Sequence, residues 1–365
     1  MAPVRNARVI LGEMPDPMSY PDPDKSVLYD PTPTIDIDTI PLNGGFLVKS
    51  LVFSIDPYLR GTMRPGGYVV GQPIYGFGLG VVIRSESPEV KPGDHVEGGL
   101  TFEEYSIRST LRGSNPVMNL TLIENKENIP WTAYVGVAGM PGRTAFYGWK
   151  EYSKAKKGEV IFVSTGAGPV GSLVIQLAKR EGLKVIACAG SDEKVQLIKD
   201  FGADVAFNYK TTKTRDVLAK EGPIDMYDDS RTFFPIAINS LLRLCSRYWD
   251  HVGGEMLDDA LVATKEYARI IACGMISGYN SGNATPVRNL SQIMYKNVSL
   301  FGFYVFNLDR KYKEEFYRTI PALVAKGEIK YKEDVVYGLE KTGHAILAQQ
   351  KGQNIGKSIL IVSQE

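Results

Sequence analysis

STGAGPVGS, residues 164–172, is the stretch of sequence that decides the fold of this chain. It follows the apolar run EVIFVS (159–164) and leads into the helical pattern PVGSLVIQLAKREG (169–182). A strand, a glycine-rich turn and a helix in this order are typical of the phosphate-binding start of a dinucleotide-binding unit. The glycines that give the G-x-G-x-x-G spacing of such a unit are Gly166, Gly168 and Gly171.

Each of these glycines has its own expected role. Gly166 permits the tight turn, Gly168 lets the backbone approach a pyrophosphate, and Gly171 lets the helix pack closely against the strand. The N-terminus of the helix then offers free N–H groups and a partial positive charge to the anion. The alternative is a glycine-rich turn that binds nothing, but the flanking strand and helix favour the binding interpretation.

The sequence after the motif alternates between apolar strands and helical patterns. LKVIACAG (183–190), SDEKVQLIKDFG (191–202) and ADVAFNY (203–209) predict a strand, a helix and a strand. This βαβαβ order indicates a parallel sheet with helices on both of its faces. Further strands are predicted at YARIIACG (267–274) and VSLFGFYV (298–305), and an amphipathic helix at 310–327.

The sequence before the motif has a different character. Residues 12–34 are rich in Pro and Asp and are expected to form an extended surface loop, and residues 35–135 read as short strands and turns. The tail GKSILIVS (356–363) predicts a strand that returns to this first domain. The sequence therefore predicts an α/β protein, with a Rossmann-type doubly wound parallel sheet beside a second domain built of β-strands.

The end of the second strand of the parallel sheet indicates which dinucleotide binds. An acidic residue at this position normally bonds the ribose 2′-OH and repels a 2′-phosphate, and Gly190 removes that repulsion. The side chains that would replace it around a phosphate are Ser191, Lys194, Tyr209 and Lys210. We therefore expect NADPH rather than NADH. In the alternative interpretation Lys194 is a solvated helix residue and Asp192 bonds the ribose.

Composition and charge exclude several classes of protein. The 365 residues carry 42 basic and 41 acidic side chains without a long run of either sign, which argues against nucleic-acid binding and a polybasic membrane patch. The three cysteines, Cys188, Cys245 and Cys273, are too few for a disulfide framework. The N-terminus has no signal-peptide layout, and the expected compartment is the cytoplasm.

Candidate catalytic groups are few, and a metal is not expected. Residues 1–135 contain no cysteine and one histidine, His95, so the three N or S ligands of a catalytic zinc are missing there. Tyr58 in DPYLRG and Tyr279 in GMISGYN lie in glycine-containing loops that are expected to face the cleft between the domains. A phenol there can donate a hydrogen bond to a developing oxyanion. The alternative for both is a half-buried structural tyrosine.

Ten stretches of this chain together resemble one known family. They cover nearly the whole chain in the family's order and are SIDPYLRGTM, GQPIYGFGLGVV, VGVAGMPGRTAFYG, STGAGPVGS, ACAGSDEK, FNYK, DHVGGEMLD, ACGMISGYN, FGFYV and GQNIGK. The family is the zinc-independent branch of the medium-chain dehydrogenase/reductase superfamily. The most similar subgroup is that of the NADPH-dependent alkenal/enone double-bond reductases, which includes prostaglandin reductases, plant double-bond reductases and curcumin reductase.

This resemblance implies an architecture and a reaction. It implies a GroES-like substrate domain at 1–137, completed by 325–365, and a Rossmann NADPH-binding domain at 138–324. The implied reaction delivers hydride from NADPH to the β-carbon of a small α,β-unsaturated aldehyde or ketone. The resemblance also implies a homodimer.

The resemblance also implies a role for individual residues, beyond the three motif glycines. The pyrophosphate would be held by Pro169, Val170, Gly171 and Ser172, and the 2′-phosphate by Gly190, Lys194 and Tyr209. The nicotinamide would be lined by Cys273, Gly274, Tyr279, Phe303, Tyr304 and Val305, and Asn354 would contact the cofactor from the tail. Tyr58 and Tyr279 would border the substrate, with Tyr279 nearest its carbonyl group.

The chain departs from the family pattern at two places. Where the family has an asparagine before VGGE, this chain has His251, which is expected to bond the cofactor or to add a pH dependence. In addition, PID (223–225) and YWDHVGGE (248–255) are separated by the 22 residues 226–247. Two hypotheses are open for these residues, a genuine insertion and a retained intron, and sequencing the spliced transcript distinguishes them. The segment starts with MYDD, which resembles the YWD that follows it, so MYDD is a candidate to take the place of the central strand.

Three functions are compatible with these features. The first is an NADPH-dependent alkenal/enone reductase. The second is a quinone oxidoreductase with the same fold and cofactor. The third is a catalytically silent NADPH-binding protein whose activity the inserted residues have abolished. This function is included because proteins that share a fold do not always share an activity.

Overall fold

The computed structural model describes residues 2–221, 245–281 and 286–365, whose strands form one mixed sheet, one parallel sheet and two small antiparallel pairs. The strands of the N-terminal part are β1 Val4–Arg5, β2 Arg8–Leu11, β3 Val27–Asp30, β4 Thr34–Ile35, β5 Phe46–Ser54, β6 Tyr75–Ser85, β7 His95–Thr101, β8 Tyr105–Arg108 and β9 Leu120–Ile123. One short helix, α1 Tyr58–Thr62, follows β5. Strands β5, β6, β7 and β9 pair antiparallel in that order, and β8 pairs with β5.

The prediction of a continuous surface loop at 12–34 was wrong in part. Strand β3 lies within that range and pairs antiparallel with β2, with Ile10 opposite Leu28. The strand is stable there because Val27 and Leu11 are buried in the core of the mixed sheet. Its four residues alternate too briefly between Pro- and Asp-rich flanks to be recognised in the sequence.

The parallel sheet begins after a helix that links the two parts. Its elements in chain order are α2 Met140–Gly148, β10 Val160–Val163, α3 Pro169–Arg180, β11 Lys184–Ala189, α4 Asp192–Asp200, β12 Val205–Asn208, α5 Thr214–Glu221, β13 Cys245–Asp250, α6 Gly254–Ala263, β14 Thr264–Ala272, α7 Ser291–Tyr295, β15 Ser299–Gly302 and α8 Asp309–Ala325. The strands are all parallel in the order β12-β11-β10-β13-β14-β15.

Helices cover both faces of this sheet, which is why its strands are continuous apolar runs. All four residues of β10 are buried, and they alternate between two core clusters. Ile161 and Val163 pack with Leu173 of α3 on one face, whereas Val160 and Phe162 pack with residues of α5 and α6 on the other. The predicted α/β fold with a doubly wound parallel sheet beside a β-rich domain is therefore confirmed.

The central strand β13 corrects the prediction for MYDD. Residues Cys245–Asp250 lie between β10 and β14, with Tyr248 opposite Phe162 and Ile270. The strand position therefore belongs to YWD and not to MYDD, and the last three residues of the 226–247 segment are part of the strand. The rings of Tyr248 and Phe162 stack at 5.0 Å, which favours this register. Residues 226–244 lie outside the described part of the chain.

The tail contributes β16 Glu333–Tyr337, α9 Thr342–Gln350 and β17 Lys357–Ile361. Strand β17 pairs antiparallel with β5 and parallel with β16, so the tail extends the mixed sheet of the N-terminal part. The boundaries at 137 and 325 and the GroES-like assignment stay predictions. None of the helices in the described ranges combines the length and the apolar character that crossing a membrane would take.

Candidate active site

A cavity of about 1000 Å³ lies in the crevice between the two sheets. The loops that follow β10, β11, β12, β13 and β14 line one end of it, and α1, β6 and the turn after β15 line the other. The tail contributes residues 349–352, 354 and 356–358 to the wall. A crevice at the carboxyl ends of parallel strands is where doubly wound sheets bind their ligands. The cavity wall contains every predicted site residue except Gly166, Ser172 and Ser191.

The glycine loop is tight for a different reason from the one expected. The left-handed residue of the turn is Thr165, with φ of 50°, and Gly166 does not have a positive φ. A Cβ at Gly166 would lie 3.0 Å from Cδ1 of Ile175 and 3.1 Å from Cβ of Ala187. Gly166 is therefore needed because the turn packs directly onto α3 and β11, and not for its own conformational freedom.

The other two motif glycines fit a dinucleotide as expected. A Cβ at Gly171 would lie 2.6 Å from the carbonyl oxygen of Thr165, so only glycine allows the helix to start this close to the loop. A Cβ at Gly168 would meet one atom of the described chain within 4 Å, the Thr165 oxygen at 3.4 Å. The Gly168 backbone thus faces open cavity, where a pyrophosphate can approach it. Ser172 instead donates its hydroxyl hydrogen to the carbonyl oxygen of Pro169 and lines a separate, water-sized cavity.

The far end of the cavity is cationic. A Cβ at Gly190 would lie 3.0 Å from the hydroxyl oxygen of Tyr209 and 3.3 Å from Cε of Lys210, so both side chains converge on this glycine. Lys194 lies on the same wall and donates to the carbonyl oxygen of Gly352 at 2.6 Å. Burial lowers the pKa of Lys194, and the charge of Lys210 lowers it further. A bound anion would relieve the repulsion between these two ammonium groups.

The alternative for this end of the cavity has less support. Asp192, at the first position of α4, accepts a hydrogen bond from the Asn208 amide at 3.0 Å and does not belong to the cavity wall. The hydroxyl oxygen of Ser191 caps α4 by accepting from the backbone N–H of Lys194. Lys194, Tyr209 and Lys210 therefore face the cavity, as an NADPH site requires.

Tyr58 presents a hydrogen-bond donor at the opposite end. Its hydroxyl oxygen accepts the backbone N–H of Phe77 at 3.2 Å, which leaves the hydroxyl hydrogen free to point elsewhere. Burial raises the pKa of Tyr58 well above its usual value, and the carboxylate of Asp56 raises it further. The phenol therefore remains a donor throughout the neutral range.

A buried ion pair fixes the start of α1, and with it Tyr58. Nζ of Lys357 lies 3.0 Å from Asp56 and also donates to the carbonyl oxygen of Ile55 at 2.8 Å. Both charged side chains are almost completely buried, and the Ser54 hydroxyl donates a further hydrogen bond to Asp56. Since Lys357 starts β17, the tail strand holds the loop that carries Tyr58.

Tyr279 approaches from the nucleotide-binding side. It follows a short 3₁₀ turn, Ile276–Gly278, and its hydroxyl oxygen would lie 3.3 Å from a Cβ at Gly274. Burial raises the pKa of Tyr279 above its usual value. Both predicted catalytic tyrosines thus line the same cavity as neutral phenols. Tyr58 comes from the part of the chain that forms the mixed sheet, and Tyr279 from the part that forms the parallel sheet.

The wall between the tyrosines is aromatic and apolar. Phe77 stacks on Phe306 with ring centroids 5.6 Å apart, and Tyr304 meets Phe306 edge-on. Cys273 lies on the same wall, and burial raises the pKa of its thiol to about 12. Such a thiol stays protonated at neutral pH and is a weak nucleophile.

His251 lines the cavity, but both of its ring nitrogens have partners within the protein. Nδ1 lies 2.8 Å from the carbonyl oxygen of Ser164, and Nε2 accepts the indole N–H of Trp249 at 3.1 Å. Burial lowers the pKa of His251 to about 4, so the ring is neutral at physiological pH. The expected pH dependence of cofactor binding in the neutral range therefore has no basis in this geometry.

The low pKa of His251 predicts acid sensitivity of the fold instead. The unfolded chain takes up the proton near pH 6.5 and the folded chain near pH 4, so stability is lost as the pH falls through this window. The loss amounts to about 3 kcal/mol at pH 4. We expect the thermal midpoint of the His251→Asn variant to fall less between pH 7 and pH 4 than that of the wild type. His344→Asn, which changes an exposed histidine, is the control and should follow the wild type. Equal acid sensitivity of the wild type and the His251 variant would contradict the assignment.

The sequence did not reveal several residues of the cavity wall. Tyr20, from the segment predicted to be a surface loop, reaches the wall and lies 5.7 Å beneath the ammonium group of Lys351. Gln349 and Gln350, at the end of α9, also line the cavity. No local pattern marks these residues, because the pairing of β17 with β5 and the N-terminal loop bring them to the site.

No group of three or more His, Cys, Asp or Glu side chains within 2–221, 245–281 and 286–365 is arranged to hold a metal ion. Two family models match the chain: one described as zinc-binding dehydrogenase matches residues 169–325, and one described as N-terminal domain of oxidoreductase matches residues 36–116. The first name therefore describes the matched family and not a metal centre of the described residues.

Individual proteins are similar to the chain over most of its length. A 2-alkenal reductase (NADP(+)-dependent) of Nicotiana tabacum is 40% identical over 326 residues, which cover 87% of this chain and 88% of the relative. The (+)-pulegone reductase of Mentha piperita is 35% identical over 333 residues, which cover 88% of this chain and 89% of the relative. The crystal structure of CurA from Vibrio vulnificus superposes with a TM-score of 0.82 at 26% identity and covers 98% of this chain and 99% of that one.

Fold, site and relatives define the class of this protein as an oxidoreductase of the medium-chain dehydrogenase/reductase superfamily. Within the superfamily, the chain belongs to the zinc-independent subgroup of alkenal and enone double-bond reductases. The family predicted from the sequence is thereby confirmed.

Proposed function

We propose that this protein is an NADPH-dependent reductase of the carbon–carbon double bond in α,β-unsaturated aldehydes and ketones. One observation carries the proposal. A single cavity holds a cationic end at Gly190, Lys194 and Lys210 and a phenolic end at Tyr58 and Tyr279. The NADP dependence of the tobacco 2-alkenal reductase supports the same function.

NADPH fits the residues that are present. The open backbone at Gly168 and the N-terminus of α3 suit a pyrophosphate, and the two lysines suit a 2′-phosphate. When bound, NADPH supplies the hydride that adds to the β-carbon of the substrate. The aromatic wall of Phe77 and Phe306 binds the apolar body of the substrate and excludes water.

The two tyrosines contribute through the substrate carbonyl. Negative charge develops on the carbonyl oxygen as the β-carbon gains a hydride, and a proton then adds to the α-carbon to complete the reduction. Hydrogen bonds from Tyr58 and Tyr279 to that oxygen become stronger in the transition state, which lowers the barrier. Tyr58 keeps its proton available because its oxygen already accepts the Phe77 N–H.

The test is cofactor oxidation by the purified protein with a medium-chain 2-alkenal, measured with NADPH and with NADH. We expect NADPH-selective turnover and the saturated aldehyde as the product. A quinone of similar size, assayed in parallel, distinguishes the alkenal reductase from a quinone oxidoreductase, the second candidate function. A quinone oxidoreductase would reduce the quinone in preference to the alkenal. NADPH binding without turnover of either substrate would support a silent binding protein, and removal of residues 226–244 would then be the next variant.

We also propose that the protein is a cytoplasmic homodimer that pairs through β15. Within the described residues β15 is one of the two edge strands of the parallel sheet, and Leu300 on it is 41% exposed. Neighbouring α7 exposes Met294 and Tyr295, and Tyr267 bonds the end of this helix through its backbone. An exposed edge strand beside apolar side chains is a surface that a second copy can extend.

The edge strand predicts the effect of a single charge. We expect the wild type to elute as a dimer in size-exclusion chromatography with light scattering, and Leu300→Lys to elute as a monomer, because a lysine on an edge strand prevents pairing. Leu122→Lys is a matched control, since Leu122 is also 41% exposed and lies on β9, one of the edge strands of the mixed sheet. A Leu300 variant that remains dimeric would contradict the proposed interface.

A further inference from the structure

Three hydrogen bonds link four residues beside the cavity into a ring that the backbone of α1 closes. Nε of Arg60 donates to Oδ1 of Asn280 at 2.9 Å, and Nδ2 of Asn280 donates to Oε1 of Gln350 at 2.9 Å. Nε2 of Gln350 then donates to the carbonyl oxygen of Pro57 at 3.0 Å. Pro57 and Arg60 lie on either side of Tyr58 and Leu59, so the ring closes through the backbone of α1.

Arg60 is the charged member of this ring, and it is fully buried. Its Nη2 donates to the carbonyl oxygens of Asp16 and Ser19, which holds the N-terminal loop that brings Tyr20 to the cavity. Among the described residues, Nη1 of Arg60 has no hydrogen-bond partner. A buried guanidinium with an unsatisfied donor is costly, so the bonds that it does make are strongly favoured.

The ring spans the crevice between the two sheet units. Arg60 and Pro57 belong to the mixed-sheet unit, Gln350 ends the tail helix α9, and Asn280 follows Tyr279 in the loop after β14 of the parallel sheet. The Asn280 side chain therefore bonds the nucleotide-binding unit to both of the other elements. In many enzymes, units that close over a bound ligand have to open before the ligand is released.

We propose that Arg60, Asn280 and Gln350 form a latch that closes the crevice over the bound cofactor and fixes the position of Tyr279 relative to Tyr58. The latch rests on the proposed function for the identity of the bound group, NADPH. Its members are positioning residues, because they act through the two tyrosines that they flank. Opening the crevice breaks both bonds of the Asn280 side chain, and closing it restores them.

The test uses Asn280→Ala in the full-length protein. NADPH release is followed by the decay of its fluorescence when the complex is mixed with excess NADP⁺, a readout that needs no alkenal. We expect release to become about 10-fold faster, because a hydrogen bond to a charged group and a neutral one are lost in the closed state only. We also expect hydride transfer in a single turnover with the alkenal to slow by about 5-fold, because Tyr279 is no longer fixed relative to Tyr58.

A conservative variant separates a latch from a merely structural asparagine. Asn280→Asp loses the donor to Gln350, but it keeps an acceptor for the Arg60 guanidinium and adds a charge attraction that offsets the loss. Release should therefore stay within about 3-fold of the wild type. Gln196→Ala is the control, because its amide bonds Asp200 on the exposed side of α4 and spans no crevice. Its release rate should not change.

The outcomes are distinct from those that test the function. Fast release in Asn280→Ala with restoration in Asn280→Asp supports the latch, even if no alkenal is reduced. Release within 2-fold of the wild type in the folded Asn280→Ala variant overturns it. Equally fast release in both Asn280 variants also overturns it, because the charge of Arg60 would then play no part.

Discussion

Gly190→Asp is expected to reverse the coenzyme preference from NADPH to NADH. A carboxylate at the end of β11 repels a 2′-phosphate and can bond the 2′-OH of a ribose that lacks one. In this chain it would also pair with Lys210, whose Cε would lie 3.3 Å from the new Cβ, and so neutralise the charge that the phosphate needs. We expect kcat/KM for NADPH to fall by about 10²–10³-fold, which corresponds to the loss of about two charge-assisted hydrogen bonds.

The variant is sterically feasible, and its control isolates the charge. The nearest atoms to a Cβ at position 190 are the hydroxyl oxygen of Tyr209 and Cε of Lys210, which are the mobile ends of flexible side chains. Gly190→Ala introduces the same Cβ without the carboxylate, and it should retain most of the NADPH activity. If alanine and aspartate lower kcat/KM for NADPH equally, the effect is steric and the phosphate site is misassigned.

The residues of the glycine loop could be predicted because their pattern is local. Strand, turn and helix are consecutive in the chain, so β10, α3 and β11 were located within a few residues. The reason for Gly166 could not be predicted, because it depends on Ile175 and Ala187, which pack on the turn only after the sheet has formed. Sequence spacing thus identified the position of this glycine but not the contact that requires it.

The environment of His251 shows a second limit of sequence reasoning. His251 was expected to bond the cofactor or to add a pH dependence, because it stands where the family has an asparagine before VGGE. In the fold, however, Ser164 from the strand β10 side and Trp249 from β13 occupy both nitrogens. These partners come from neighbouring strands of the sheet, and a linear sequence does not specify which ring nitrogen each one meets.

The two similar segments MYDD and YWD illustrate ambiguity in local patterns. Either one is compatible with the end of a buried strand that precedes a glycine loop. The choice depends on the neighbours: Tyr248 stacks on Phe162 and donates its hydroxyl hydrogen to Asp250, which in turn accepts the backbone N–H groups of Val252 and Gly253. The loop directly after YWD is therefore built around this strand end.

Replacing either cavity tyrosine by phenylalanine should test the chemistry most directly. Each substitution removes one hydroxyl and leaves the ring that forms the wall. Removing one donor from an oxyanion site typically lowers kcat by about 10²–10³-fold, and we expect a loss of about 100-fold for Tyr279→Phe and for Tyr58→Phe. NADPH affinity should stay within about 2-fold, since the hydroxyls act on the substrate. Tyr337→Phe, at an exposed position of β16, should behave as the wild type.

The double variant then shows whether the two hydroxyls act on the same oxygen. If both donate to one carbonyl oxygen, the loss of the first leaves that oxygen poorly positioned, and the second substitution costs much less than it does alone. We therefore expect Tyr58→Phe/Tyr279→Phe to lose well under the 10⁴-fold that independent effects would give. Because burial raises the pKa of both phenols, the single variants should show the same reduction in kcat from pH 6 to pH 9. A reduction that disappears within this range, or one confined to KM, would mean that the hydroxyls bind the substrate without stabilising the charge that develops as hydride is transferred.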